Sequence, residues 1–168
     1  EQGYKVSAEM LAKAGTARTR AIVLNSPGNP TGAGYSKQEL QAIGALAIEK
    51  DWIVISDEIY SELTYDGFEF HSFPTVLPGL RERTIVVGGW SKTYSMTGWR
   101  LGWAAAPAPF MAAMGKLQSQ STSNVPAMTQ MAALAALQGS HDFLDDWIRA
   151  FDGRRKQMVE GLNQIGGI

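Results

Sequence analysis

Cysteine is absent from this chain of 168 residues, and histidine occurs only twice. Without cysteine the chain forms neither disulfides nor thiolate metal sites, a composition that suits the reducing cytoplasm. His71 and His141 lie far apart in the sequence, and neither has a partner at the spacing of metal ligands. We therefore expect both histidines in surface or loop positions, and we expect no metal site.

An excess of charge is also lacking, as are long apolar runs. The 15 lysines and arginines nearly balance the 16 aspartates and glutamates, so the net charge of −1 gives no electrostatic reason to bind nucleic acid or an anionic membrane. The richest apolar stretch, residues 101–113, is interrupted by two prolines and is shorter than the roughly 18 residues of a membrane span. With 45% hydrophobic residues, the chain is expected to be a soluble, globular, cytoplasmic protein.

Short apolar runs bounded by turn residues predict the strands. Ala21–Leu24, Trp52–Ile55 and Thr84–Val87 are such runs, and a helix begins between the first two at Ser36, with a glutamate three residues later that completes a capping box. Strand, helix and strand in this order predict a parallel sheet covered by helices. The run at 101–106 follows the third strand without a helical crossover, so it is expected to pair antiparallel.

The second half of the chain has a helical pattern. We predict helices over about residues 109–120, 126–138 and 142–164. The last of these is the longest, and its apolar residues recur at helical spacing. A short helix is also expected near the start of the chain, over residues 7–13.

The most informative stretch runs from Gly88 to Trp103. Lys92 follows two glycines, a tryptophan and a serine, and Arg100 comes eight residues later among small and aromatic residues. Glycines allow the backbone to approach a ligand closely, and a guanidinium group suits a phosphate. An amine nucleophile beside a phosphate anchor indicates a phosphorylated carbonyl cofactor that is held as a Schiff base.

Two further segments support this interpretation. They are Asn25–Gly32, which reads Asn-Ser-Pro-Gly-Asn-Pro-Thr-Gly, and Ser56–Tyr60, which reads Ser-Asp-Glu-Ile-Tyr. With the lysine stretch, they resemble the large domain of the class I/II aminotransferases, which are pyridoxal 5′-phosphate enzymes of fold type I. The resemblance implies an α/β fold, a three-layer α/β/α sandwich with a mostly parallel sheet. Residues 1–140 would form part of the large domain and residues 141–168 a long helix towards a small domain, with further segments on both sides.

The resemblance also implies a role for five side chains. Lys92 would form the Schiff base with pyridoxal 5′-phosphate and shuttle the proton during catalysis. Asp57 would pair with the pyridine nitrogen, and Tyr60 and Asn29 would contact the phenolic oxygen. Arg100 would bind the phosphate. Lys92 is thus the predicted catalytic residue, and all five are predicted to bind the cofactor.

Each of these side chains also has a purely structural alternative. Asp57 could cap the turn that follows it, Tyr60 could pack in the core, and Asn29 could serve an ordinary Asn-Pro turn. Lys92 could be a surface lysine, and Arg100 could form a salt bridge at the entrance of a strand. These alternatives are weaker within the three motifs than they would be in isolation.

Two further positions, Glu58 and Gly89, bear on the assignment of the cofactor-binding residues. Glu58, beside the predicted cofactor ligand on the second strand, is expected to have a structural role. The family often has a serine that binds phosphate three residues before the lysine, whereas this chain has Gly89, which offers only its backbone N–H. Ser91 could supply a hydroxyl instead.

The reaction implied by the resemblance is the transfer of an amino group from an L-amino acid to a 2-oxo acid by a homodimer. A C–S β-lyase of the same fold would share all of these motifs. An aminotransferase-like effector domain of a transcription regulator is a third possibility, and a catalytically inactive piece is a fourth.

Overall fold

A four-stranded mixed sheet lies at the centre of the computed structural model, which describes residues 3–167. Its strands are β1 (Ala21–Asn25), β2 (Ile53–Asp57), β3 (Thr84–Gly89) and β4 (Gly102–Ala105), and they lie side by side in this order. The first three strands are parallel, and β4 is antiparallel to β3. The predicted α/β fold, its four strands and the reversed direction of the last strand are confirmed.

Six α-helices occur within residues 3–167, and five of them were predicted. The sixth, a single turn that carries the lysine of the longest motif, lies between the third and fourth strands, where no helical crossover was expected. None of the helices within residues 3–167 is both long and apolar enough to cross a bilayer. The predicted division of the chain into residues 1–140 and 141–168 stays a prediction. Residues 1, 2 and 168, which belong to these ranges, lie outside the described residues. The helices are α1 (Ala8–Ala14), α2 (Lys37–Glu49), α3 (Trp90–Thr93), α4 (Ala108–Ser121), α5 (Ala127–Gln138) and α6 (Asp142–Asn163).

The start of α2 is fixed by the predicted capping box. The Ser36 hydroxyl accepts a hydrogen bond from the Glu39 backbone N–H at 3.3 Å, and the Glu39 carboxylate accepts one from the Ser36 N–H at 2.7 Å. Lys5 adds an ion pair to the same carboxylate at 2.6 Å. This hydrogen bond from Lys5 lowers the pKa of Glu39 below its ordinary value, although partial burial of the carboxyl acts in the opposite direction.

The hydrophobic core lies between α2 and one face of the sheet. The apolar side chains of α2 recur at helical spacing and are buried against the strands. On the other face, Val23 of β1 is 73% exposed, so this part of the sheet is uncovered within the described residues. The core consists of Leu24, Tyr35, Leu40, Ile43, Leu46, Ala47, Trp52, Val54, Phe73, Val76 and Leu80.

The strand register brings three loops to one edge of the sheet. Asn25 at the end of β1 lies opposite Asp57 at the end of β2, and Asp57 lies opposite Val87 of β3. The loops that follow these three strands therefore start side by side. Because β4 runs in the opposite direction, the loop that leads into it lies at the same edge. Ligands of open α/β sheets bind at the carboxyl ends of the strands.

Candidate active site

The loop after β1 is held to the end of β2 by Asn25. Its side-chain oxygen accepts a hydrogen bond from the backbone N–H of Asn29 at 3.1 Å, and its amide nitrogen donates to the backbone carbonyl of Asp57 at 3.2 Å. Sequence reasoning did not single out Asn25. The signal was available, because a polar residue that ends an apolar strand beside another polar strand end is placed to bridge the two.

Asn29 and Tyr60, the two predicted partners of the phenolic oxygen, are in direct contact. The Asn29 side-chain amide donates a hydrogen bond to the Tyr60 hydroxyl oxygen at 3.1 Å. Because the tyrosine oxygen is the acceptor here, its own hydrogen is left to donate to a ligand. Tyr60 is half-buried rather than enclosed in the core, and Asn29 is exposed. The pair can thus present two donors to one bound oxygen atom.

The adjacent carboxyl groups of Asp57 and Glu58 face opposite sides of the sheet, as successive residues of a strand do. Asp57 accepts a hydrogen bond from the Ile59 N–H at 3.2 Å through one oxygen, so the capping role is real. Its second oxygen has no protein donor among residues 3–167. Glu58 is only 8% exposed and accepts hydrogen bonds from the Ser56 hydroxyl and the Phe73 N–H, each at 2.9 Å. The structural role predicted for Glu58 is confirmed.

Lys92 lies on the single turn of α3, directly after β3. Its side-chain nitrogen is 5.7 Å from the centre of the Tyr60 ring. The side chain is half-buried, and within the described part of the chain the amine has no carboxylate partner and no hydrogen bond. The Lys92 amine therefore lies near the Tyr60 ring, and its role towards a cofactor stays a prediction.

Arg100 lies in the loop that leads into β4, in the left-handed backbone conformation with φ 52° and ψ 48°. A residue with a side chain adopts this conformation at a cost, and such residues cluster at functional sites. Its guanidinium group donates a hydrogen bond to the Thr97 carbonyl at 3.1 Å. The group is exposed, and in residues 3–167 it has no carboxylate partner, so the salt-bridge alternative is not seen. Arg100 shares the sheet edge with the other four side chains but does not contact them.

Gly89 departs from the family pattern for a steric reason. A Cβ atom at this position would lie 3.0 Å from the Leu101 carbonyl oxygen, 3.2 Å from the Gly102 Cα atom and 3.2 Å from the end of the Ile59 side chain. Two of these atoms belong to the paired strand's backbone, which cannot move aside easily. The close pairing of β3 with β4 therefore favours glycine over the serine that the family often has.

The two histidines differ in their surroundings. His141 is exposed, as expected, and its ring nitrogen lies 3.3 Å from the Tyr94 hydroxyl. His71 is half-buried and lies in the loop between β2 and β3, which also agrees with the expectation, and Glu69 is 3.6 Å from its ring. Across residues 3–167, no group of three or more histidine, aspartate or glutamate residues is arranged to hold a metal ion.

A comparison with known proteins places this chain in a family. The family described as "Aminotransferase class I and II" matches residues 1–168. The chain belongs to this family. An aspartate aminotransferase of Streptomyces avermitilis is 48% identical to it over 166 residues, which are 99% of this chain and 41% of the relative. An aspartate/prephenate aminotransferase of Cereibacter sphaeroides is 43% identical over an alignment of 169 positions that covers 100% of this chain and 42% of the relative.

The fold agrees with solved structures of the family. The crystal structure of the aspartate aminotransferase from Rhizobium meliloti superposes with a TM-score of 0.95 at 41% identity, over 98% of this chain and 42% of that chain. The chain thus spans less than half the length of the relatives that it matches. The family resemblance inferred from the three motifs is confirmed over the whole chain.

The residues at the sheet edge fit pyridoxal 5′-phosphate, on which this family generally depends. Asp57 offers a carboxyl oxygen without a protein donor, which suits a protonated ring nitrogen. Asn29 and Tyr60 offer two donors to a ring oxygen, and Lys92 offers an amine free of other partners. Arg100 offers unpaired guanidinium N–H groups, which suit a phosphate.

Proposed function

We propose that this chain is the central part of the large domain of a pyridoxal 5′-phosphate-dependent aminotransferase. The proposed reaction transfers an amino group from an L-amino acid to a 2-oxo acid. Residues 1–140 would belong to the large domain, and residues 141–168, which include all of α6, would lead towards a small domain. A homodimer and a cytoplasmic location are part of the same proposal, since both come with the family resemblance.

One observation carries the proposal. The Asn29–Tyr60 hydrogen bond of 3.1 Å joins two loops that are far apart in the sequence, and the Lys92 amine lies 5.7 Å from the same tyrosine ring. Three residues that the motifs assigned to one cofactor thus come together without a structural need that explains all three. Asp57, at the end of the neighbouring strand, adds the acid that such a cofactor requires.

The chain's own side chains would divide the work as follows. When bound, the cofactor supplies an aldehyde that condenses with amines and a ring that accepts electrons from the substrate α-carbon. The Lys92 amine would hold the cofactor and would carry the proton of the substrate α-carbon. The Asp57 carboxylate would keep the ring nitrogen protonated, the Asn29–Tyr60 pair would bind the ring oxygen, and Arg100 would bind the phosphate.

The test is covalent trapping on Lys92 in the full-length protein. The protein is incubated with pyridoxal 5′-phosphate and reduced with borohydride, and the labelled peptide is identified by mass spectrometry. We expect one adduct, on Lys92, which is lost in Lys92→Ala and kept in a matched variant of an exposed lysine, Lys116→Ala. An absent adduct, or one on another lysine, contradicts the proposal.

A substrate assay separates the proposed activity from the related lyase. Two of the relatives are named for aspartate, so aspartate with a 2-oxo acid acceptor is the first pair to test. Stoichiometric exchange of amino and oxo groups supports an aminotransferase. Release of ammonia and pyruvate from a cysteine conjugate, without exchange, supports the C–S β-lyase instead.

A further inference from the structure

The long helix α6 contacts two of the loops that carry the candidate site. At its amino-terminal end, His141 lies with its Nε2 atom 3.3 Å from the Tyr94 hydroxyl and 3.1 Å from the Ala136 carbonyl oxygen. A carbonyl only accepts hydrogen bonds, so we assign the ring hydrogen to Nε2 and let both oxygens accept it. Tyr94 is two residues beyond Lys92, on the same short turn.

Aromatic packing strengthens this first contact. The Tyr94 ring meets the His141 ring edge-on with 5.7 Å between centres, and it lies 6.1 Å from the ring of Phe143 on α6. Phe143 in turn packs edge-on against Trp147, one turn further along the helix, at 4.8 Å. Burial raises the pKa of the Tyr94 hydroxyl, and the negative charge of Glu62 adds to this. The lysine-bearing turn is therefore packed against the start of α6.

The second contact lies in the middle of α6. The Arg155 guanidinium forms an ion pair with Asp66 at 2.8 Å and with Asp152 of its own helix at 2.5 Å. It also lies over the Tyr65 ring, 5.1 Å from the centre. Asp152 and, to a smaller extent, Asp66 raise the pKa of Arg155. Asp66 and Tyr65 belong to the loop that begins with Tyr60, so this loop is also fastened to α6.

A cavity beside the site is bordered by the second contact. Its volume is about 550 Å³, and its walls include Asn29, Tyr60 and Tyr65 on one side and Arg155 and Val159 of α6 on the other. One continuous helix thus touches the lysine turn and the tyrosine loop. At 1.5 Å per residue, the contact points Phe143 and Arg155 lie about 18 Å apart along a rigid axis.

We propose that α6 is a strut that fixes the Lys92 turn relative to the Tyr60 loop, with His141 and Arg155 as positioning residues. The proposal rests on the function proposed above, because the distance between the Lys92 amine and the Tyr60 ring matters if both side chains bind the same cofactor. Neither positioning residue touches the reacting atoms. Their removal should change how well the cofactor is held, rather than abolish its attachment.

The mid-helix contact is tested in the full-length protein with Arg155→Gln. Its matched control is Arg149→Gln, because Arg149 lies on the same helix and pairs only with Asp146, three residues before it, among residues 3–167. We expect Arg155→Gln to weaken cofactor affinity about two- to fivefold, the range for a partly exposed ion pair. Asp66→Asn should have the same effect, and the double variant should be no worse than either single variant.

The amino-terminal contact is tested with two substitutions of His141. His141→Phe keeps an aromatic ring but removes the hydrogen-bond donor, whereas His141→Gln places an amide donor near the position of Nε2. We expect His141→Phe to change the rate at which an amine reagent labels Lys92 in the apoprotein by about threefold or more, the equivalent of one hydrogen bond. His141→Gln should restore the original rate, which a packing role alone would not predict.

Amide hydrogen exchange of the apoprotein separates this proposal from the proposed function. Faster exchange at residues 60–66 in Arg155→Gln and at residues 90–94 in His141→Phe, with no change in Arg149→Gln, supports the strut whether or not the cofactor is trapped on Lys92. Unchanged exchange and unchanged Lys92 labelling in folded variants overturn the strut. A missing borohydride adduct in the unsubstituted protein overturns the proposed function alone.

Discussion

The neighbours Asp57 and Glu58 should respond to substitution in opposite ways. In Glu58→Ala, the Phe73 N–H and the Ser56 hydroxyl both lose their acceptor, and Phe73 is only 1% exposed. A buried amide without a partner costs about 1–3 kcal/mol, and a hydroxyl that can rotate to another acceptor costs about 0.5–1 kcal/mol. We therefore expect Glu58→Ala to lower the free energy of unfolding by about 2–4 kcal/mol.

Two isosteric amides complete the comparison. Glu58→Gln keeps an oxygen for both donors and should cost only about 1 kcal/mol, the difference between charged and neutral hydrogen bonds. Asp57→Asn keeps the acceptor for the Ile59 N–H, so its free energy of unfolding should change by less than about 0.5 kcal/mol. Its amide cannot balance a charged ring nitrogen, so cofactor affinity should fall about tenfold or more.

The assay is urea unfolding of the full-length apoprotein together with titration of the cofactor. The free energy of unfolding should change with substitution of Glu58, and cofactor affinity should change with substitution of Asp57. If Glu58→Ala unfolds at the same urea concentration as the unsubstituted protein, the two hydrogen bonds do not anchor this loop. If Asp57→Asn binds the cofactor normally, the carboxylate has been assigned the wrong role.

Two further predictions concern the surroundings of the site. Gly89→Ser should lower the free energy of unfolding by about 1–3 kcal/mol, because its Cβ would press on the Leu101 and Gly102 backbone. An unchanged free energy of unfolding in urea would contradict this steric explanation. Lys5→Met should remove the largest cause of the lowered pKa of Glu39, a source of stability that is present above about pH 4.5 and is lost as the pH falls through the lower folded-state value. In unfolding curves measured from pH 7 to pH 3, the variant should be less stable at neutral pH and approach the unsubstituted protein in acid.

The fold was predictable because its signals are local. The strands are short apolar runs between turn residues, and the capping box at Ser36 needs only four consecutive residues to be recognised. The direction of β4 followed from the lack of a helix between it and β3. The five candidate site residues come from sequence motifs whose chemistry is coherent, and their roles towards a cofactor stay predictions. The contact between Asn29 and Tyr60 then placed two of these predictions side by side.

The parts that could not be predicted depend on contacts between distant segments. The single turn of α3 is too short for hydrophobic periodicity to indicate a helix. The ion pair between Arg155 and Asp66 joins a helix to a loop that is distant in the sequence, and composition alone does not predict which residues pair. Likewise, the steric reason for Gly89 exists only because β4 pairs closely with β3. In each case the decisive neighbour is set by the tertiary structure.

The placement of the site depends on residues that touch no ligand. Asn25 ties the loop after β1 to the backbone of β2, and Glu58 ties the loop after β2 to the buried amide of Phe73. On the third loop, Tyr94 packs against the start of α6 and meets His141 there. Each loop therefore has an anchor that is distinct from the candidate cofactor-binding side chains. Asp57 and Lys92 keep a polar atom without a hydrogen-bond partner among residues 3–167. When separate residues anchor the loops, the side chains that would bind a ligand need not hold the loops in place as well.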